Sequence, residues 1–153
     1  MKAVIQRVSR AQVTVDGETV GKIEKGFLIL LGVVDGDGKS EADILASKTA
    51  SLRIFEDENE KMNLSIKDVD GQALVISQFT LCADCKKGNR PSFISSAKPQ
   101  EAQELYEYYI NQLLQNGVKK VEHGVFGADM KVELLNDGPV TIVLDTDIWS
   151  KAK

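Results

Sequence analysis

The most constraining feature of this 153-residue chain is one apolar run, Phe27-Leu28-Ile29-Leu30-Leu31-Gly32-Val33-Val34. It has eight residues, far short of the roughly 20 that a helix needs to cross a bilayer. It is too short for a typical buried helix and lacks polar alternation. Gly26–Val34 therefore reads as a central strand buried on both faces. A strand of that kind needs a sheet around it and cover on either side. The apolar share of 42% and the charged share of 27% are those of an ordinary globular chain, so the cover is available. The length suits a single domain over residues 1–153.

Other strands flank this one. Ala3–Val8 and Ala11–Val15 read as two strands, and Asp16-Gly17 as a hairpin turn into Thr19–Ile23. Asp70-Gly71 marks a turn before a strand over Gln72–Leu81. Met130–Leu135 and Val140–Leu144 close the chain as two strands, with Asn136-Asp137-Gly138-Pro139 as the turn between them. Ser40-Glu41-Ala42-Asp43 resembles a capping box and predicts a helix to about Leu52, with Leu45, Thr49 and Leu52 inward. Pro99 opens a second helix, whose inner face carries Ala102, Leu105, Tyr106, Tyr109 and Leu113, and Gly117 ends it. Asp57–Asn63 and residues 84–98 read as loops, the second long enough to suggest a functional role. The pattern predicts an α+β fold: a barrel-like mixed or antiparallel sheet of about eight strands, with two long helices outside.

Several functional classes are disfavoured. The net charge of −4 does not suit a protein that coats long nucleic acid. The N-terminal residues carry Arg7 and Arg10 where a signal peptide would be apolar, so a soluble cytoplasmic protein with no membrane association is expected. Asp35-Gly36-Asp37-Gly38 lacks the twelfth-position glutamate of a calcium loop, where Ala46 stands. The single histidine, His123, sits at a strand end without a GxSxG elbow and reads as structural. Cys82-Ala83-Asp84-Cys85 has CxxC spacing, which could serve thiol exchange or half a zinc site; with too few further ligands it reads as incidental. Asp57, Glu58 and Glu60, and Asp145 with Asp147, read as solvated carboxylates. No metal or cofactor is expected.

Two polar segments remain. Ser77-Gln78-Phe79-Thr80-Leu81 places hydroxyl and amide groups at the end of an apolar strand, where a sheet can present them to a pocket. Asn136-Asp137-Gly138-Pro139-Val140-Thr141 holds a Gly-Pro corner, for which a trans bond is the ordinary expectation. Together with Ile5-Gln6-Arg7-Val8, Arg53-Ile54-Phe55, Lys61-Met62-Asn63-Leu64, Arg90-Pro91-Ser92-Phe93 and Gly127-Ala128-Asp129-Met130, these segments resemble the D-aminoacyl-tRNA deacylases over nearly the whole chain.

The resemblance implies a homodimer that hydrolyses the ester joining a D-amino acid to the 3′ end of tRNA. Glycine mischarged on alanine tRNA is a further implied substrate. It implies a cis bond between Gly138 and Pro139, with that corner entering the partner's site to exclude L-amino acids. Arg7 would hold the corner, Met130 would help bind substrate, and Ser77, Gln78, Phe79 and Thr80 would line the catalytic pocket. Thr80 lacks a neighbouring base, so a positioning role is expected of it. Lys86, Lys87 and Arg90 are candidate contacts to the tRNA end. The alternative from another class is a non-catalytic nucleic-acid-binding module.

Overall fold

A computed structural model describes residues 1–150, the side chain of Ser150 excepted. The apolar run is a central strand, as its composition demands. β3 (Gly26–Gly32) lies between β1 (Lys2–Val15), antiparallel, and β6 (Gln72–Ser77), parallel. Phe27, Ile29 and Leu31 point into a core shared with the helices. Leu28 and Leu30 point into a second core with Val8, Val13, Leu74 and Ile76. Burial on both faces explains the missing alternation.

The sheet runs β2 (Glu18–Ile23), β1, β3, β6, β7 (Val121–His123), and β8 (Lys131–Asp145) pairs along the other side of β1. β2 returns against β7, so the mixed sheet is nearly closed into a barrel. Helices α1 (Lys39–Ser51) and α2 (Pro99–Gln115) pack together over the outer face. There the Tyr109 hydroxyl donates to Thr49 at 2.9 Å, and Thr49 donates to the Leu45 carbonyl at 2.8 Å. A short α3 (Asp147–Ser150) follows β8. The α+β, barrel-like expectation is borne out. Among the described residues, no helix is long and apolar enough to cross a membrane.

Five local expectations are corrected. β1 is one strand, not two, because β8 pairs with both of its halves, from Lys2 to Thr14, while β3 takes Lys2–Val8 and β2 takes Ala11–Val15 on the other side. Its register against β8 shifts on either side of Val8. Ala3 and Ile5 therefore face the helices, while Ala11 and Val13 face the second core.

The first helix is capped at Gly38, not Ser40. Glu41 Oε1 accepts the Gly38 N–H at 2.7 Å, while Asp43 accepts the Tyr108 hydroxyl at 2.7 Å. The charged loop at 57–63 is the tip of a small hairpin, β4 (Phe55–Glu56) with β5 (Met62–Leu64).

β6 ends at Ser77, and Phe79–Cys82 is a 3₁₀ turn rather than strand. Most consequentially, residues 136–139 do not reverse the chain. β8 continues through them, and both halves pair with β1. Between the pairs Val8–Asn136 and Gln6–Thr141, four residues on β8 face the single Arg7 on β1. The excess is thrown out of the ladder as a bulge.

Candidate active site

The carboxyl ends of β3 and β6 lie side by side, with Leu31 paired to Ser77. Beyond them the chain turns sharply. Gln78 still donates its N–H to the Leu31 carbonyl at 2.8 Å, and Leu81 then closes onto the Gln78 carbonyl at 3.2 Å. Gly32 permits this approach. A Cβ there would stand 3.0 Å from the Leu81 Cβ and 3.2 Å from the Gln78 carbonyl oxygen.

A cavity of about 670 Å³ opens beside the turn. Ser77, Gln78 and Phe79 form one side; Phe93, Phe126 and Met130 wall it further along. Lys98, Pro99 and Ala102, at the start of α2, line it as well. The long loop is drawn into this wall by two main-chain bonds. Asp35 N–H reaches Ser95 O at 2.8 Å, and Ala97 N–H reaches Val33 O at 3.0 Å.

Gln78 Nε2 donates to Thr80 Oγ1 at 2.5 Å, which fixes that hydroxyl beside the cavity and leaves its own proton free to point elsewhere. Thr80 itself is exposed and not part of the cavity wall. Phe79 is 55% exposed and meets Phe93 edge-on at 5.1 Å between centroids. The N–H groups of Phe79 and Thr80 open the 3₁₀ turn, so neither has an acceptor within it. The site can therefore hold a polar group against fixed amide and hydroxyl groups and offer two main-chain donors nearby.

The Gly-Pro corner is built differently and lies elsewhere. Arg7 is only 6% exposed. Its Nε donates to the Asp137 carbonyl at 2.9 Å and its Nη1 to the Ile54 carbonyl at 2.7 Å; Glu56 Oε1 lies 3.8 Å from Nη2. Asn136 clamps the bulge from within, accepting the Val140 N–H at 2.9 Å and donating to Thr141 Oγ1 at 3.3 Å. The Gly138–Pro139 bond is cis. Gly138 has φ +152°, and a Cβ would lie 2.6 Å from the Val140 Cγ2. Both corner residues are exposed, and neither they nor Arg7 lines the chain's own cavity.

Of the sequence-derived candidates, Ser77, Gln78, Phe79 and Met130 meet in the cavity wall, and Thr80 stands beside it. Lys86, Lys87 and Arg90 do not line it. All three are exposed, on a loop closed by paired bonds between Asp84 and Ser92 at 2.8 and 2.9 Å. Gly32, Phe93, Phe126 and Lys98 were not named as site residues from the sequence; only the fold of the long loop and of the chain before β8 places the last three at one cavity.

Cys82 is buried and Cys85 exposed, both as free thiols. Burial pushes the Cys82 thiol up, away from the reactive thiolate. The His123 ring bonds the Gly124 carbonyl at 2.7 Å and is not part of the cavity wall. Asp145 accepts the Asp147 N–H at 3.0 Å.

The family described as D-Tyr-tRNA(Tyr) deacylase matches residues 4–145. This chain belongs to that family. A D-aminoacyl-tRNA deacylase of Flavobacterium psychrophilum is 57% identical over 146 residues, covering 95% of this chain and 97% of that protein. The one from Koribacter versatilis is 60% identical over 146 residues, with the same coverage of 95% and 97%. Among solved structures, a c-Myc DNA unwinding element binding protein superposes with a TM-score of 0.90 at 41% identity, covering 95% of this chain and 98% of that one. A probable eukaryotic D-amino acid tRNA deacylase shares the fold at TM-score 0.80 and 15% identity, covering 94% and 98%. The expected family and enzyme class, a hydrolase of the aminoacyl ester, are borne out.

Proposed function

We propose that this chain hydrolyses the ester between a D-amino acid and the 3′-terminal adenosine of tRNA, and that it also clears glycine mischarged on alanine tRNA. The observation that carries the reading is the Gln78–Thr80 pair beside an open cavity, in a chain of the deacylase family. Water attacks the ester carbonyl carbon. Its oxygen bonds to that carbon and the carbonyl oxygen takes up negative charge; as the carbonyl re-forms, the bond to the ribose 3′-oxygen breaks and that oxygen takes up the proton the water gives up. Free amino acid and tRNA leave. The Phe79 and Thr80 N–H groups receive the developing charge, where one such donor is typically worth about 2.7–4 kcal/mol. Thr80 positions and does not attack, because its hydroxyl accepts from an amide and has no base beside it. The ribose 2′-hydroxyl assists the water.

Chirality is read by exclusion. With the amine and ester fixed, D and L substrates differ only in where the side chain points. The corner at Gly138 and Pro139 is exposed and held by Arg7 and Asn136, which suits it to entering the cavity of a second copy. Met130 supports the bound amino acid from the cavity wall. The working form is then a cytoplasmic homodimer whose sites are each completed by the partner's corner.

A second reading draws on the 41% identical relative named for binding DNA. The net charge of −4 weighs against duplex binding by this chain. The deciding experiment measures amino acid released from matched D-Tyr-tRNA and L-Tyr-tRNA with a chelator present. Fast release from the D form alone is expected. Release from neither, together with salt-sensitive binding to duplex DNA, would transfer the case to the second reading.

A further inference from the structure

Among the described residues of the cavity wall, Lys98 is the one cation. It makes no ion pair among the described residues, whereas the one carboxylate of the wall, Asp129, is already paired with Lys131 at 3.3 Å. Its main chain is pinned from both sides. The preceding Ala97 is buried and bonded to the Val33 carbonyl at 3.0 Å, and the Lys98 carbonyl accepts the Ala102 N–H at 2.9 Å. Lys86, Lys87 and Arg90 stand on a loop without such anchoring at the cavity.

The substrate class narrows what this cation can meet. An aminoacyl ester of adenosine is neutral at the ester, the ribose hydroxyls and the base, and positive at the amine. The only anions on an aminoacyl-tRNA end are its phosphates. We infer that Lys98 is a phosphate-binding residue for the single-stranded tRNA terminus, engaging the backbone next to the terminal adenosine. The inference rests on the deacylase reading and adds an orientation to it. The aminoacyl group, with its positive amine, lies toward Gln78 and Thr80. The phosphate lies at the part of the wall where α2 begins. In a chain of net charge −4, a local cation at the site counts for more than its number suggests.

The test compares two substrates of the intact protein, D-Tyr-tRNA and 3′-O-D-tyrosyl-adenosine, which carries no phosphate. The readout is the ratio of kcat/KM on the tRNA to that on the nucleoside ester. Lys98→Ala should lower the ratio by about three- to tenfold, mostly through KM on the tRNA. It should also flatten the log–log salt dependence of that KM by about 0.7, the value for one contact to a single strand. Lys98→Arg should restore both. A Lys98→Ala ratio and salt slope equal to wild type would show a merely solvated surface cation. Equal loss on both esters would place Lys98 in the shape of the pocket instead. Wild-type protein inactive on both esters would end the deacylase reading, and the phosphate contact with it.

Discussion

The polar turn at Phe79–Cys82 follows the end of a strand and the corner at Asn136–Val140 bulges from the middle of one; both depend on a glycine, yet they are held in opposite ways. The turn lies beside a cavity made by its own chain, and main-chain bonds secure it: Gln78 to Leu31, Leu81 to Gln78, Ala83 to Thr80. The corner is exposed, lies outside that cavity, and falls where the β1–β8 ladder is broken. Side chains replace the missing bonds, Arg7 from the neighbouring strand and Asn136 from within. A feature secured by main chain tolerates side-chain change; one secured by side chains does not. Substitution should therefore damage the corner far more than the turn.

The largest effect is expected for Arg7→Ala. It removes a buried guanidinium from two carbonyls and from Glu56. Loss of a buried, multiply bonded charge of this kind typically destabilises by about 3 kcal/mol. The corner should also lose its position, so that discrimination between D-Tyr-tRNA and L-Tyr-tRNA falls with stability. Urea unfolding and the two release rates measure these separately. An Arg7→Ala protein that kept full discrimination would show that the corner stands without this support.

Gly138→Ala should follow. The new Cβ would lie 2.6 Å from Val140 Cγ2 and 2.7 Å from the Val140 nitrogen, at a φ of +152° that side chains avoid. Strain of this kind costs roughly 1–3 kcal/mol. The corner must shift, and the D-to-L rate ratio should drop at least tenfold while much of the chain stays folded. An unchanged ratio would mean that chirality is read elsewhere.

The same contrast explains what the sequence could disclose. The central strand was legible because burial on both faces leaves a composition with no polar alternation. α2 was legible because its inward positions keep a helical period from Ala102 to Leu113. The corner was misread as a turn because Asn-Asp-Gly-Pro has turn chemistry locally. What makes it a bulge is pairing of both flanks with β1, more than a hundred residues earlier. The 3₁₀ turn was misread as strand because Phe79, Thr80 and Leu81 suit a strand; contact across Gly32 overrides that preference. Phe93, Phe126 and Lys98 carry no local signal for a cavity. They meet only because loops are tied to strand ends, as Ala97 is to Val33. The polar residues Ser77 to Thr80 could be located at a strand end, but their roles came from resemblance.

On the turn side the effects should be smaller. Thr80→Val removes a hydroxyl that accepts from Gln78, on a scaffold that main-chain bonds still hold. A several-fold fall in kcat is expected, with turnover retained. An acyl group trapped on Thr80 in the native enzyme would overturn the positioning role.

The cysteines at the end of the turn and just beyond it should give the smallest effect of all. The Cys82 sulfur is buried and donates to the Val33 carbonyl at 3.5 Å, and burial favours its neutral form. For an acid whose folded pKa is raised, the associated stability is fully present below the ordinary thiol range. It is lost only as pH rises through that range and beyond. Near neutral pH the thiol is therefore protonated and covered, while Cys85 is exposed. Iodoacetamide should label Cys85 alone in the native protein and both residues after unfolding, with deacylation unchanged by the native modification. Rapid labelling of Cys82 before unfolding would show that the turn opens more readily than its main-chain bonds allow. The comparison with the corner would then have to be reversed.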